Sequence, residues 1–167
     1  MNSHTITSSC LLFLAGCGAP AEIGPQRTAF ELEGVAYEWA LAHGRRGSLM
    51  LLRMDTAGHG LPVVVLTCDD RTRGGLQIRD PGASEGEVSL TAGVATYRVD
   101  ARRQEGFDIP TFAGNGAFPT DWFEAVGQAE RVRFSFGGEI RDVPGPGEAA
   151  VKNLEDYCGE LAGHRDA

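Results

Sequence analysis

Glu87-Val88-Ser89-Leu90-Thr91-Ala92-Gly93-Val94-Ala95-Thr96-Tyr97-Arg98-Val99-Asp100 decides the fold class. Val88 and Leu90, then Val94 and Thr96, then Tyr97 and Val99 recur with the two-residue period of a half-buried strand. Ala92-Gly93 interrupts them where a hairpin would turn. Arg131–Phe136 repeats the pattern, with Val132, Phe134 and Phe136 set against Arg131, Arg133 and Ser135. Upstream, Pro62–Cys68 carries Val63, Val64, Val65 and Leu66 in a β-branched run suited to a buried strand. Leu76 and Ile78 alternate with Gln77 and Arg79 as another.

Outward from these strands, Phe30, Leu32, Tyr37 and Trp39 read as one first strand with an irregularity near Gly34. His43–Gly47, Ala57–Gly60, Asp69–Gly75 and Pro81–Gly86 read as turns, and Ser48–Asp55 as a short apolar run. Arg102–Gly116 reads as loop, with at most a short strand at Phe107–Phe112. Thr120 is the expected N-cap of a short helix through Trp122, Phe123 and Val126. Gly137–Gly147 reads as a long turn region. Val151, Leu154, Cys158 and Leu161 lie at helical spacing and predict an amphipathic helix over Glu148–Leu161. Many short strands at this spacing predict a mainly β protein. The expectation is an antiparallel β-sandwich or barrel with two short helices.

A chain of 167 residues favours a single domain with a substantial core. Its net charge is −8, and residues 1–16 contain no Asp, Glu, Lys or Arg, so residues 17–167 carry all of it. Such a body repels phosphate backbones, which argues against a nucleic-acid partner, and it attracts cationic partners.

Cys10–Gly16 is an apolar run too short to span a bilayer. Leu14-Ala15-Gly16-Cys17 after it resembles the bacterial lipobox, in which the cysteine thiol receives a diacylglycerol. Met1–Ser9 departs from that pattern, having His4 but no Lys or Arg, and Met1 need not be the true start. The resemblance implies a signal peptide over residues 1–16 and lipidation of Cys17. A flexible tether follows to residue 28, then one β-rich domain over 29–162 and a tail over 163–167. The only membrane contact would be the lipid anchor. Ala19, second after Cys17, is not the retention aspartate of many such lipoproteins, which implies an outer-membrane address facing the periplasm.

Four cysteines are present. With Cys10 cleaved off and Cys17 acylated, Cys68 and Cys158 remain in an oxidising compartment, each on an apolar stretch. A Cys68–Cys158 disulfide is expected, the alternative being two buried thiols. No Cys-x-x-Cys or His pair lies near either residue, so no metal site is expected.

Gly82-Ala83-Ser84-Glu85-Gly86 fits the G-x-S-x-G of a serine nucleophile elbow, and His164 follows in a compatible order. The elbow needs a strand before and a helix after, whereas Val88–Leu90 reads as a strand, so a hairpin loop is the better reading. His4, His43, His59 and His164 sit in turns or tails. Asp69-Asp70 lacks a cation-binding loop pattern. Gly114-Asn115-Gly116 lacks the lysine of a phosphate loop and reads as a helix entry. With no catalytic constellation and no cofactor expected, recognition would fall to loops. The candidates are Asp69, Asp70, Arg71 and Arg73 in one stretch, and Arg102 and Arg103 at the start of Arg102–Thr111 in the other. Arg45 and Arg46 form a further arginine pair on a turn.

Leu61–Cys68, Val88–Asp100, Trp122–Val126, Val132–Phe136 and the Cys158 helix form a strand, hairpin, helix, strand and cysteine-helix series. That series resembles the small secreted domains of the invasion-associated locus B kind and of type VI secretion accessory lipoproteins. The resemblance implies a β-sandwich without known catalytic residues, and no site residue is carried over from it. Ala92–Tyr97 is similar to the Ser-Gly-x-x-Tyr loop of membrane-bound lysozyme inhibitors, but the spacing differs and the serine is missing. The expected function is a non-enzymatic envelope lipoprotein that binds an envelope protein or cell-wall component, such as a secretion-system accessory. The alternatives are a lysozyme-inhibitor-like lipoprotein and, third, a small hydrolase using Ser84.

Overall fold

The computed structural model describes residues 28–42 and 47–163. The signal segment, Cys17, the tether, Arg45, Arg46 and His164 lie outside the described residues. Ten antiparallel strands and two helices follow in the order β1 (Thr28–Leu32), β2 (Val35–Ala42), β3 (Gly47–Met54), β4 (Gly60–Cys68), β5 (Arg73–Arg79), β6 (Gly86–Ala92), β7 (Ala95–Gln104), β8 (Thr111–Ala117), α1 (Trp122–Gln128), β9 (Arg131–Phe136), β10 (Glu139–Pro144) and α2 (Glu148–Gly163). The strands form one sheet, ordered β1-β2-β3-β4-β5-β8-β7-β6-β9-β10.

The sheet curls until its ends approach, making a nearly closed barrel. The indole Nε1 of Trp39 on β2 donates to the Pro144 carbonyl at the end of β10, at 2.8 Å. The Trp39 ring also lies 6.3 Å from that of Phe134 on β9. The expected alternation places Val88, Leu90, Tyr97, Val99, Val132, Phe134 and Phe136 inside the barrel, all buried. Leu49, Leu51, Val64, Leu66, Leu76 and Ile78 meet them from the other half of the sheet.

The hairpin that decided the fold class forms with Ala92 opposite Ala95, and its turn is Gly93-Val94. Five local expectations need correction. The single first strand is a hairpin: Leu32 pairs with Val35 across Glu33-Gly34, both at positive φ (52° and 76°), the geometry of a two-residue hairpin turn. The region from Gly137 to Gly147 contains β10, which pairs with β9 over a Gly137-Gly138 turn. Arg102–Gly116 is mostly strand, because β7 extends to Gln104 and β8 begins at Thr111. Gly114-Asn115-Gly116 therefore lies inside a strand and is not a helix entry. A Cβ on Gly114 would stand 2.5 Å from the Asp100 carbonyl oxygen, so β8 can approach β7 only without a side chain there. Finally, Thr120 is not the cap of α1. Asp121 holds that position in left-handed conformation (φ 56°) without a capping hydrogen bond from its side chain.

Helix α2 contacts β2 and β3, and its Ala150, Val151, Leu154 and Cys158 are all buried. Cys158 bonds to Cys68 at the end of β4, with the two Cα atoms 5.8 Å apart. The expected disulfide therefore fastens the last helix to a central strand. It also carries α2 beside α1, which it contacts.

Candidate functional site

The β4–β5 turn is short because Asp70 organises it. Its Oδ1 accepts from the backbone N–H groups of Thr72 (2.7 Å) and Arg73 (2.9 Å) and from the Thr72 hydroxyl (2.7 Å). The turn is fixed to both helical segments. Phe118, just before α1, donates its N–H to the Thr72 carbonyl at 2.7 Å. Arg71 reaches across to α2, with Nε 3.4 Å from the Glu155 carbonyl and a guanidinium nitrogen 3.8 Å from Asp156. Arg71 lies so close over Gly159 that a Cβ there would stand 2.7 Å from its Nε.

Between this turn, α1 and α2 lies a groove of about 570 Å³. Phe118 and Trp122 form its aromatic wall, their ring planes nearly parallel with centroids 6.2 Å apart. Trp122 is 1% exposed, and its Nε1 has no hydrogen-bond partner among the described residues. Asp121, Glu124, Glu148 and Glu155 line the rim, against Arg71 and Lys152. Both cations lean on the same carboxylate: Lys152 Nζ lies 3.7 Å from Asp156, the residue Arg71 also approaches. Asp156 does not line the groove, so cationic charge is drawn outward and the rim is acidic.

The candidate recognition residues separate. Arg71 enters the groove wall, and Asp70 builds the turn that presents it. Arg73 is the first residue of β5, paired with Ala117. Arg102 and Arg103 are on strand β7 and not in a loop, paired with Ala113 and Phe112, and both are exposed. They stand near the Arg79 end of β5, whereas Arg71 adjoins its Arg73 end, about 20 Å away at strand spacing. The two stretches therefore do not make one recognition edge. Ser84 sits in the exposed turn between β5 and β6, so the helix that a nucleophile elbow requires after the serine is absent. His59 lies in an exposed turn beside Asp55 at 3.2 Å. The Asp55 carboxyl is held below its ordinary value, chiefly by the His59 backbone N–H. Among the described residues no cluster of His, Cys, Asp and Glu is placed to hold a metal.

At the opposite end of β5, the barrel opens beside a second cluster. Arg141 on β10 pairs with Asp80 at 2.8 Å and with Glu139 at 3.0 Å, and its guanidinium lies 5.3 Å from the Phe136 ring centroid. Burial pulls the Arg141 pKa down, but hydrogen bonds and charge from Glu139 and Asp80 outweigh it, leaving the pKa above the usual arginine value. Asp80 is buried, and its other oxygen accepts from the Gly82 N–H at 2.8 Å. Neither α1 nor the Asp80–Arg141 pair was foreseen as part of a site. Only the charge of the Asp69–Arg73 stretch signalled the groove. The chain matches no protein-family model, no curated protein and no solved structure.

Proposed function

We propose that this chain is a non-enzymatic envelope lipoprotein, anchored through an acylated Cys17, that binds a cationic segment of another envelope component in the groove between α1, α2 and the β4–β5 turn. The observation that carries this reading is the acidic rim of Asp121, Glu124, Glu148 and Glu155 around an aromatic wall. A Lys or Arg side chain entering there meets the carboxylates of the rim, a favourable environment for a cation. The net charge of −8 steers such a partner inward. The Cys68–Cys158 bond and the Arg71 contacts fix the groove walls before binding, which reduces the ordering cost of association.

The test is a fluorescence-anisotropy titration with a labelled oligolysine peptide, at low and at physiological salt. Glu124→Lys/Glu148→Lys is expected to raise Kd at least tenfold. The charge-matched Glu87→Lys/Asp100→Lys variant, outside the groove, is expected to change it less than threefold. Equal losses in the two variants would show that only overall charge matters and would overturn the groove as the site. Inhibition of a basic lysozyme, lost in the groove variant alone, would identify that enzyme as the class of partner.

A further inference from the structure

We infer that the outer face of β5, β7, β6 and β9 is a docking surface for a membrane that carries anionic phospholipids. Tyr97, Val99, Val132 and Phe134 point into the barrel and are buried, so the residues that alternate with them point outward. Arg98 and Arg102 on β7 and Arg131 and Arg133 on β9 are such residues, and all four are exposed. Arg73 and Arg79 take the same face of β5, alternating with the buried Leu76 and Ile78. Against these six arginines stand three outward carboxylates, Glu87, Asp100 and Asp142. A chain of net charge −8 thus gathers cations on one side. At physiological ionic strength charges farther off than about 8 Å are largely screened. A surface laid here therefore meets the arginines and not the acidic remainder of the chain.

The side chains between the arginines are short. Ser89 lies between Arg98 and Ser135, Thr91 between Thr96 and Arg133, and Ala113 beside Arg102. The guanidinium groups stand above them. Two are loosely held: Arg98 is 3.4 Å from Glu87, and Arg102 is 3.9 Å from Asp100. Arg133 is held more firmly, with bonds of 2.9 and 3.1 Å to the Asp142 carboxylate. Guanidinium groups bind phosphate through paired N–H donors, which suits a phospholipid headgroup. Ile140 on β10 selects a lipid over a soluble polyanion. It stands opposite Ser135, in the row of Arg98, and is 64% exposed. A lipid interface takes up an apolar side chain beside basic ones, whereas a soluble polyanion leaves it in water. None of the six arginines lines the acidic groove, so the two sites are separate. The contact is additional to the anchor expected at Cys17 and does not depend on it.

The test is co-sedimentation of the full chain with vesicles of phosphatidylcholine, with and without phosphatidylglycerol, at low and at physiological salt. The neutral vesicles read whatever the apolar run Cys10–Gly16 contributes. Soluble polyglutamate is titrated in parallel. The expected result is at least tenfold tighter binding to the anionic vesicles at low salt, weakening as salt rises. Arg98→Gln/Arg102→Gln is expected to cut that preference at least fivefold. Arg53→Glu, the same change of net charge on β3, is expected to cut it less than twofold. Arg73→Gln/Arg79→Gln serves as the second face variant should the first lose the circular dichroism of the folded chain. Ile140→Ser is expected to weaken binding to anionic vesicles at least threefold. No preference for anionic vesicles in the wild type, or equal losses in a folded face variant and in Arg53→Glu, would overturn the surface. Unchanged vesicle binding in Ile140→Ser, or polyglutamate binding as tight as vesicle binding, would overturn the lipid in favour of an acidic protein.

Discussion

Replacing the disulfide by Cys68→Ala/Cys158→Ala is expected to be the most destabilising change that leaves every hydrogen bond intact. The two cysteines are separated by 90 residues and both are fully buried. In the chain-entropy model, closing a loop of that length removes about 15 cal/mol/K from the unfolded chain, or about 4–5 kcal/mol at 25 °C. With a urea dependence of roughly 2 kcal/mol/M for a domain of this size, the unfolding midpoint should fall by about 2 M. The assay is urea unfolding followed in parallel by far-ultraviolet circular dichroism and tryptophan fluorescence. Wild type in reductant serves as a second arm, because it breaks the link without deleting the sulfurs. Both arms should drop together. Trp122 reports on α1 and Trp39 on the barrel, so a single fluorescence transition that coincides with the circular-dichroism one would show that helices and barrel unfold as one unit. A midpoint within about 0.3 M of the oxidised protein would refute the reasoning. It would mean that Ala150, Val151 and Leu154 hold α2 by packing alone.

Tyr97 should make the protein sensitive to alkali. Burial raises its pKa to about 12, and its hydroxyl donates to the Gly74 carbonyl at 2.7 Å. The folded state thus holds the phenol proton more tightly than the unfolded chain, whose tyrosines titrate near 10. That stability is complete below pH 10 and is lost as pH rises from about 10 to 12. Tyr97→Phe should be less stable at neutral pH but should lack this loss, and a melting-temperature difference that stays constant from pH 9 to 12 would contradict the assignment. Gly74→Ala should cost about 3 kcal/mol or more, since its Cβ would stand 2.0 Å from the Thr67 carbonyl oxygen and 2.4 Å from Phe118 Cζ. Urea unfolding measures this, and a loss below 1 kcal/mol would show that the β4–β5 turn yields. The mass of the protein from the membrane fraction should equal the chain from Cys17 onward plus acyl groups, whereas an unmodified full-length chain would end the lipoprotein reading.

The sequence announced strands wherever one face is buried and the other wet. The β6–β7 hairpin, β9 and the apolar stripe of α2 were legible for that reason, and β4 from its unbroken β-branched run. The cysteine pair was legible from its setting. β8 was hidden because its glycines are placed for close contact with β7, a demand that leaves no alternation to read. β10 was hidden because it is an edge strand whose Glu139, Ile140 and Arg141 are all exposed. Glu33 masked the first hairpin, since a glutamate at positive φ is an unusual turn residue. Of the groove, the Asp69–Arg73 charge was visible. Its walls were not, because the turn, α1 and α2 are brought together by the disulfide and by the Arg71 contacts across 84 residues of chain.

The position of β8 has a consequence for how the molecule assembles. β1 to β5 is a simple meander, each strand pairing with the one before it. β6, β7, β9 and β10 form a second set of neighbours. β8 alone joins the two, holding β5 along seven residue pairs and β7 along three. It follows β7 directly and pairs with it locally, whereas its partners on β5 lie more than thirty residues back. The two halves can nucleate separately from local turns, but the joining step waits on contacts distant in sequence, and such contacts form slowly. A chain stopped before Thr111 would thus hold the β1–β5 meander and the lone β6–β7 hairpin with bare edges, the form most exposed to pairing with other molecules.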